Sequence, residues 1–251
     1  MLEVQEVRRS FGGSHAVDGV SFTVPQGAVT GLIGPNGAGK TTMFNLIAGS
    51  LALTSGRLLL EGRRIDREPA HRRLARGLAR TFQIPRPFPS MSVLENVLLA
   101  AKDQRGERVW PNWFTPGAVA AQEHRHVERA RDILDFLTLT PLAEAQARTL
   151  SGGQRKLLEL ARVLMAEPKI ILLDEPAAGV NPSLLETIMD RIATLNRRGM
   201  TFLIVEHNMD LVARLCGQVL VMASGKLLAQ GRPDEVIRDP AVVEAYLGAA
   251  A

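Results

Sequence analysis

The sequence predicts an α/β fold: a mostly parallel sheet with an antiparallel β edge near the N-terminus, interrupted by a helical segment. Three observations carry this. Short, almost unbroken apolar runs such as AVTGLI, IILLD and TFLIV recur along the chain, as expected of strands buried on both faces of a parallel sheet. The first 30 residues instead alternate apolar and polar, as in Val20, Phe22 and Val24. From roughly residue 85 to 165 the apolar spacing becomes helical.

The elements follow in order. The alternating N-terminal stretch reads as antiparallel strand. Residues 28–33 then run as a buried strand into GPNGAGKTT and the helix MFNLIAG, which Gly49 is placed to end because glycine takes the left-handed conformation without strain. SGRLLLEG, residues 55–62, is another short strand. In REPAHRRLARGLAR, residues 67–80, Leu74 and Leu78 lie four apart, which predicts an amphipathic helix with a solvated basic face. Prolines 85, 87 and 89 then force an extended loop after Gln83.

Ser92 and Glu95 have capping-box spacing ahead of a helix, VLENVLLAA. Residues 103–122 hold both tryptophans in the aperiodic WPNWFTPG and read as an insertion or surface loop, after which HVERARDILDFLTL is helical again. Ser151 and Gln154 form a second capping-box pair before LLELARVLM. Two buried strands, KIILLDEP and TFLIVEH, flank the helical SLLETIMDRIATLNRRG. QVLVMASGKLLAQG is a hairpin with a Ser-Gly turn, and DPAVVEAYLG a last helix with Asp239 as cap and Pro240 at its first position. No internal repeat or low-complexity tract interrupts this plan.

Composition bounds the function. With 46% hydrophobic residues the 251-residue chain buries a substantial core, yet no run reaches the roughly 18 apolar residues of a membrane helix. The N-terminus has no apolar signal-peptide core, so a soluble, cytosolic chain is expected. The single cysteine, Cys216, excludes an intrachain disulfide and a cysteine-rich metal site. A net charge of +4 suits an anionic ligand but is too mild to imply nucleic acid.

Gly34 to Thr41 match G-x-x-x-x-G-K-[ST] between a strand and a helix, the context of a phosphate loop and hence of a P-loop NTPase core. Its glycines let backbone N–H groups turn toward phosphate oxygens at a helix N-terminus. Lys40 is expected to reach the β and γ phosphates and Thr41 to place its hydroxyl on Mg²⁺. Asp174 and Glu175 end an apolar strand, where open parallel sheets bind ligands. Asp174 suits Mg²⁺ through water, and Glu175 suits general-base work on an attacking water. His207 ends the next strand, within reach of a γ-phosphate. Glu206 either orients it or is solvated. Gln83 suits contact with both Mg²⁺ and water.

Residues 150–156, LSGGQRK, raise a separate question. The capping box accounts for Ser151 and Gln154, but Gly152 and Gly153 each cost about 1 kcal/mol relative to alanine in a helix. Bare amides at a helix N-terminus make a second anion site, suited to closing over a phosphate bound elsewhere.

Taken in this order, GPNGAGKTT, Gln83, LSGGQ, IILLDEP and His207 resemble the ATP-binding subunit of an ABC transporter over nearly the whole chain. The resemblance implies a head-to-tail dimer with two ATP molecules at its interface. In that dimer Ser151, Gly152, Gly153 and Gln154 of one subunit meet the γ-phosphate held by Gly34, Pro35, Asn36, Gly37, Ala38, Gly39, Lys40, Thr41 and Thr42 of the other. It also implies that Phe11 stacks on adenine, with Val17 nearby. SFGGSHAVDGVSF, ARTFQ, DEPAAGVNP, VEHNMDLV and the AYLG ending are similar to ATPase subunits of branched-chain amino acid importers and related amide or urea systems. Asn181 departs from the commoner aspartate of a subunit contact, and Val180 from leucine.

The resemblance implies ATP and Mg²⁺ as cofactors, transmembrane permeases and a second ATPase subunit as partners, an external solute-binding protein acting indirectly, and a peripheral place on the cytoplasmic face of the cell membrane. Phe88 to Met91 and the helical segment are expected to receive a permease helix. A lipopolysaccharide-export ATPase and a soluble ATPase of iron-sulfur cluster assembly are the alternatives. The expected division is one cassette with an α/β core (1–84 and 166–231), a helical subdomain (85–165) and a C-terminal helical tail (232–251).

Overall fold

The computed structural model describes residues 1–81, 87–107 and 109–248. The chain forms two units: Met1–Arg80 with Lys169–Ala178 and Leu185–Ala251, and Thr81–Pro168 with Gly179–Leu184.

The first unit holds two sheets. The antiparallel one comprises β1 (Leu2–Phe11), β2 (Ser14–Val24), β4 (Ser55–Leu60) and β5 (Arg63–Arg64), in the order β2-β1-β4-β5. Its alternation is real: Leu2, Val4, Val20, Phe22 and Val24 face inward, and Leu2 pairs with both Val24 and Leu60. The other sheet runs β10-β9-β3-β8-β7-β6 and contains β3 (Val29–Ile33), β6 (Leu78–Arg80), β7 (Ile170–Asp174), β8 (Thr201–Val205), β9 (Gln218–Ala223) and β10 (Lys226–Gly231). All but β10 are parallel to their neighbours, and every residue of β3, β7 and β8 is buried. This is why those strands read as unbroken apolar runs.

Helix α1 (Lys40–Ala48) contributes Met43, Phe44, Leu46 and Ile47 to the core shared by both sheets. Gly49 caps it at φ +80, and Ser50 N–H donates to Asn45 O at 3.0 Å. The β9–β10 turn is Ser224-Gly225, both at positive φ. Helices α7 (Pro182–Arg197), α8 (Met209–Leu215), α9 (Pro233–Val236) and α10 (Pro240–Gly248) follow. Asp239 accepts from Ala241 N–H at 2.9 Å at the start of the last.

The arginine-rich stretch departs from expectation. Helix α2 spans only Ala70–Ala75, Leu78 belongs to β6, Leu74 is exposed and Arg73 is fully buried. The cause lies at the end of α1, whose last carbonyls lack helical partners. The Arg73 guanidinium donates to Leu46 O at 2.6 Å, Ile47 O at 2.7 Å and Glu68 O at 2.8 Å. Satisfying buried carbonyls outweighs burying one leucine, so the cation goes in and the leucine out.

In the second unit α3 (Val93–Leu98), α5 (Pro116–Phe136) and α6 (Gly152–Met165) pack on one another. Ser92–Glu95 and Ser151–Gln154 both close as capping boxes. The expected loop at 103–122 is largely helical: α4 covers Val109–Phe114, and α5 begins at Pro116. Pro116 starts a helix at no hydrogen-bond cost because a first-turn N–H has no intrahelical partner, and Ala118, Ala120 and Ala121 propagate it. Among the described residues no helix is long and apolar enough to cross a membrane.

Candidate functional site

Strand β3 delivers the chain to Gly34, and the next turn is made by glycines at positive φ: Gly34 (+146), Gly37 (+78) and Gly39 (+96). A Cβ at Gly34 would lie 2.0 Å from the Met222 carbonyl, and one at Gly39 2.3 Å from the Ala16 carbonyl. Backbone from β9 and β2 therefore presses on the loop from behind. Gly225 N–H donates to Ala38 O at 3.1 Å, tying the β9–β10 turn to it.

Within the loop Ala38 is buried, Pro35 half-buried, and Asn36 and Gly37 exposed. Lys40 opens α1 with its side chain buried, and its Nζ donates to Gly34 O at 2.7 Å and Pro35 O at 2.9 Å. Burial lowers the Lys40 pKa, and the Glu175 carboxylate acts against that shift. Thr41 is exposed and Thr42 half-buried. Bare amides, a helix N-terminus and a lysine nitrogen in one turn fit a bound phosphate chain.

Strand β3 pairs with β8 and β8 with β7, all parallel, so their C-terminal ends lie at one edge. Asp174 ends β7 and is buried. Arg80, from the adjacent β6, donates to Asp174 Oδ2 through Nη2 at 2.8 Å and to Asn45 Oδ1 through Nη1 at 2.6 Å. Glu175 follows at φ +48, a left-handed conformation that costs a non-glycine residue of order 1 kcal/mol. Its N–H donates to Val205 O at 2.9 Å, and its Oε1 lies 3.4 Å from His207 Nε2. The imidazole is exposed.

Glu206 is not solvated, and it holds His207 through the backbone N–H. It is buried and accepts three backbone N–H groups, from Ala177 at 2.7 Å, His207 at 2.8 Å and Asn208 at 3.0 Å. It therefore clasps the turn after β8 to the turn after β7.

Phe11, at the end of β1, is 49% exposed, and the Arg9 guanidinium lies 4.6 Å from its ring centroid. Val17 is fully buried in the core and offers an adenine no surface. Gln83 lies outside the described residues.

In the second unit, Ser151 accepts from Gln154 N–H at 3.3 Å while Gln154 Oε1 accepts from Ser151 N–H at 2.9 Å. A Cβ at Gly153 would meet Leu184 Cδ2 at 2.0 Å, whereas one at Gly152 meets nothing within 4 Å. Packing inside the chain thus accounts for Gly153, which the capping box left unexplained, and does not account for Gly152. Asn181 accepts from Leu184 N–H at 2.9 Å, the work of a helix cap. The Phe88–Met91 turn is shaped by Asn96, fully buried, which accepts from Phe88 N–H at 2.8 Å and donates to Phe88 O at 3.1 Å and Ser92 O at 2.9 Å.

Reading the sequence missed Arg80, Asn45 and Asn96 altogether. A signal existed for Asn96 alone, as a polar residue inside the apolar run VLENVLL. Arg80 was one basic residue among many.

A family model described as ABC transporter matches residues 17–178, and one described as branched-chain amino acid ATP-binding cassette transporter matches residues 226–251. The chain is 41% identical to a probable branched-chain amino acid transport ATP-binding protein of Archaeoglobus fulgidus, over 99% of this chain and 96% of that protein. It is 39% identical to a high-affinity branched-chain amino acid transport ATP-binding protein of Pseudomonas aeruginosa, over 100% and 98%. Among solved structures it resembles the ADP conformation of an ATP-binding cassette of an ABC transporter, with a TM-score of 0.85 at 40% identity, over 99% of this chain and 98% of that one.

Proposed function

The chain belongs to the ATP-binding cassette family of ABC transporters, and from that premise we propose that it powers an importer of branched-chain amino acids or related small polar solutes. As a member of this family it is an ATPase. The observation that carries the importer reading is the likeness to branched-chain amino acid transport proteins along the whole chain, including the C-terminal segment. Neither rival activity has a comparable observation in its favour.

In this reading Gly34 to Thr42 wrap the phosphates, Lys40 leaves its carbonyl partners for the β and γ phosphates, and Phe11 stacks on the base. The Thr41 hydroxyl, Gln83 and Asp174 would be the residues to hold a Mg²⁺ bound together with ATP, and that ion would supply neutralisation of phosphate charge. The exposed Thr41 suits that role. Among the described residues no three His, Cys, Asp or Glu side chains gather to hold a metal by themselves, which suits an ion carried in on phosphate. Glu175 accepts a proton from the attacking water, and His207 donates to the γ-phosphate.

The pairing of LSGGQ with a second ATPase subunit, alike or paralogous, completes each site. Permeases dock at the helical unit around Phe88 to Met91, which holds the chain at the cytoplasmic face of the cell membrane. The α/β core, helical subdomain and tail then act as one cassette.

Glu175→Gln tests the chemistry. The variant should bind ATP, stop hydrolysing it and accumulate as an ATP-bound dimer by light scattering, whereas a variant that stays monomeric with ATP overturns the shared-site reading. Tagged protein from gently solubilised membranes should bring multi-span permeases with it. Recovery with a cluster-assembly scaffold in the soluble fraction overturns the transport assignment and leaves the ATPase intact.

A further inference from the structure

Strands β7 and β8 pair as far as Asp174 and Val205, and the turns that follow carry Glu175 and His207. The second turn is firmly anchored. It leaves β8, which is buried throughout, and Asn208 Oδ1 caps α8 by accepting from Leu211 N–H at 3.0 Å. The first turn closes on itself, with Ala178 N–H donating to Glu175 O at 3.1 Å, and leads out of this unit at Gly179.

The Glu206 carboxylate spans the two turns. Its Oε1 accepts from Ala177 N–H at 2.7 Å, while Oε2 accepts from His207 N–H at 2.8 Å and Asn208 N–H at 3.0 Å. Glu206 is only 3% exposed, so a charge is held out of water to make these bonds. Turn N–H groups at a strand end can be satisfied by water without that desolvation. What water does not supply is a fixed spacing between the turns, across which Glu175 Oε1 and His207 Nε2 lie 3.4 Å apart.

We propose that Glu206 is a positioning residue for hydrolysis: it locks the Glu175 turn to the His207 turn, so that the water-activating carboxylate and the imidazole meet one γ-phosphate in a set geometry. It acts through the backbone of Ala177 and His207, not through the nucleotide.

This rests on Glu175 and His207 serving the hydrolysis, so Glu175→Gln is measured alongside as a control. Two variants cut the clasp differently. Glu206→Asp keeps the charge and both oxygens and still serves the N–H two residues on, at Asn208, but is one methylene short of Ala177. Glu206→Gln keeps the reach and has one acceptor oxygen in place of two. ATP turnover is measured in the assembled transporter at a temperature where melting shows each variant folded, and ADP affinity is measured by calorimetry on the isolated chain. Both variants should lose kcat by at least about tenfold, a misplacement near 1 Å being worth up to about 10²-fold. The KM for ATP and the ADP affinity should stay at the parent's values. In a His207→Ala background Glu206→Asp should lower kcat by a smaller factor, because one of the two groups it aligns is already gone. A carboxylate that only stabilises the fold gives the reverse, a lower melting temperature with kcat of the folded chain intact. Parental kcat in Glu206→Asp, a fall in ADP affinity parallel to kcat, an equal loss in the His207→Ala background, or failure of both variants to fold overturns the proposal. If Glu175→Gln hydrolyses ATP at the parental rate, the catalytic assignment itself fails, whatever the Glu206 variants do.

Discussion

The Arg80 guanidinium joins the Asp174 carboxylate at 2.8 Å to the Asn45 side chain at 2.6 Å, with the Phe44 ring 5.2 Å from its centre. The carboxylate proposed for Mg²⁺ thus already has a cation, supplied by the strand that leads toward Gln83. Arg80→Met should destabilise the chain by about 3 kcal/mol, because it leaves a buried carboxylate without this counter-charge. Mg²⁺ with nucleotide should recover part of that loss by bringing another cation near Asp174. Thermal melts in EDTA, in Mg²⁺ and in Mg²⁺ with ADP check both parts, and a melting temperature equal to the parent's in all three refutes them.

Arg73 is a second buried cation, held by carbonyls instead of a carboxylate. Burial lowers its pKa, with Asp66 and Glu68 acting against that. Arg73→Lys keeps the charge but replaces a planar fork with one nitrogen, whose three N–H groups leave a single point and do not span the Leu46, Ile47 and Glu68 carbonyls that the fork reaches from two nitrogens. It should cost about 2 kcal/mol, or roughly 4–8 °C for a chain of this size, and Arg73→Met more. Calorimetric melting measures it. A lysine variant as stable as the parent would show that charge at the helix end, and not the fork, is what counts.

What was legible in the sequence follows from the range of each interaction. Strands β3, β7 and β8 and both capping boxes are written in neighbouring residues, as are the loop glycines. Arg73 and Arg80 were not legible, because their partners are 27 and 94 residues away and nothing local separates a buried arginine from a solvated one. Residues 103–122 misled for the opposite reason. Proline and tryptophan break the apolar period, but Pro116 breaks no helix when it stands at the start of one.

Burial pushes the Cys216 thiol from 9.0 up to about 12, and the Glu206 carboxylate adds to the rise. In the unfolded chain the thiol loses its proton near pH 9, whereas the folded chain keeps it. The folded state then binds more protons, so this group's contribution is intact below pH 9 and is lost as pH climbs toward 12. Urea unfolding of Cys216→Ala should therefore weaken less steeply than the parent's between pH 9 and 11. Parallel curves would mean that the thiol titrates alike in both states.

Asn96 holds the turn proposed to face the permease and has no partner in the phosphate loop, so the two roles separate in its variant. Asn96→Leu removes the donors and acceptor that fix Phe88 and Ser92, at a cost of about 2 kcal/mol. Recovery of permeases with the tagged variant should fall several-fold. ADP affinity of the isolated chain should stay within about twofold, since none of Asn96's partners lies in the phosphate loop. A parallel loss of ADP affinity would show that the damage is not confined to this turn.

Gly152 and Gly153 separate local packing from a contact made by another subunit. At Gly153 an added methyl must displace the end of the Leu184 side chain, which a rotamer change relieves at about 1 kcal/mol. Gly153→Ala is therefore compromised by the chain's own structure before any second subunit is considered. At Gly152 nothing within the chain stands in the way, and alanine is the better helix former. Gly152→Ala should leave the melting temperature the same or higher, and Gly152→Asp should keep ADP affinity near the parent's. In the assembled transporter Gly152→Asp should lose ATP turnover by at least about tenfold, because it sets a negative charge where the proposed shared site brings a γ-phosphate, like charges at contact costing more than about 1 kcal/mol. Turnover at the parental rate would remove the reason for placing a phosphate at this helix end, and would leave the glycine at 152 without a function.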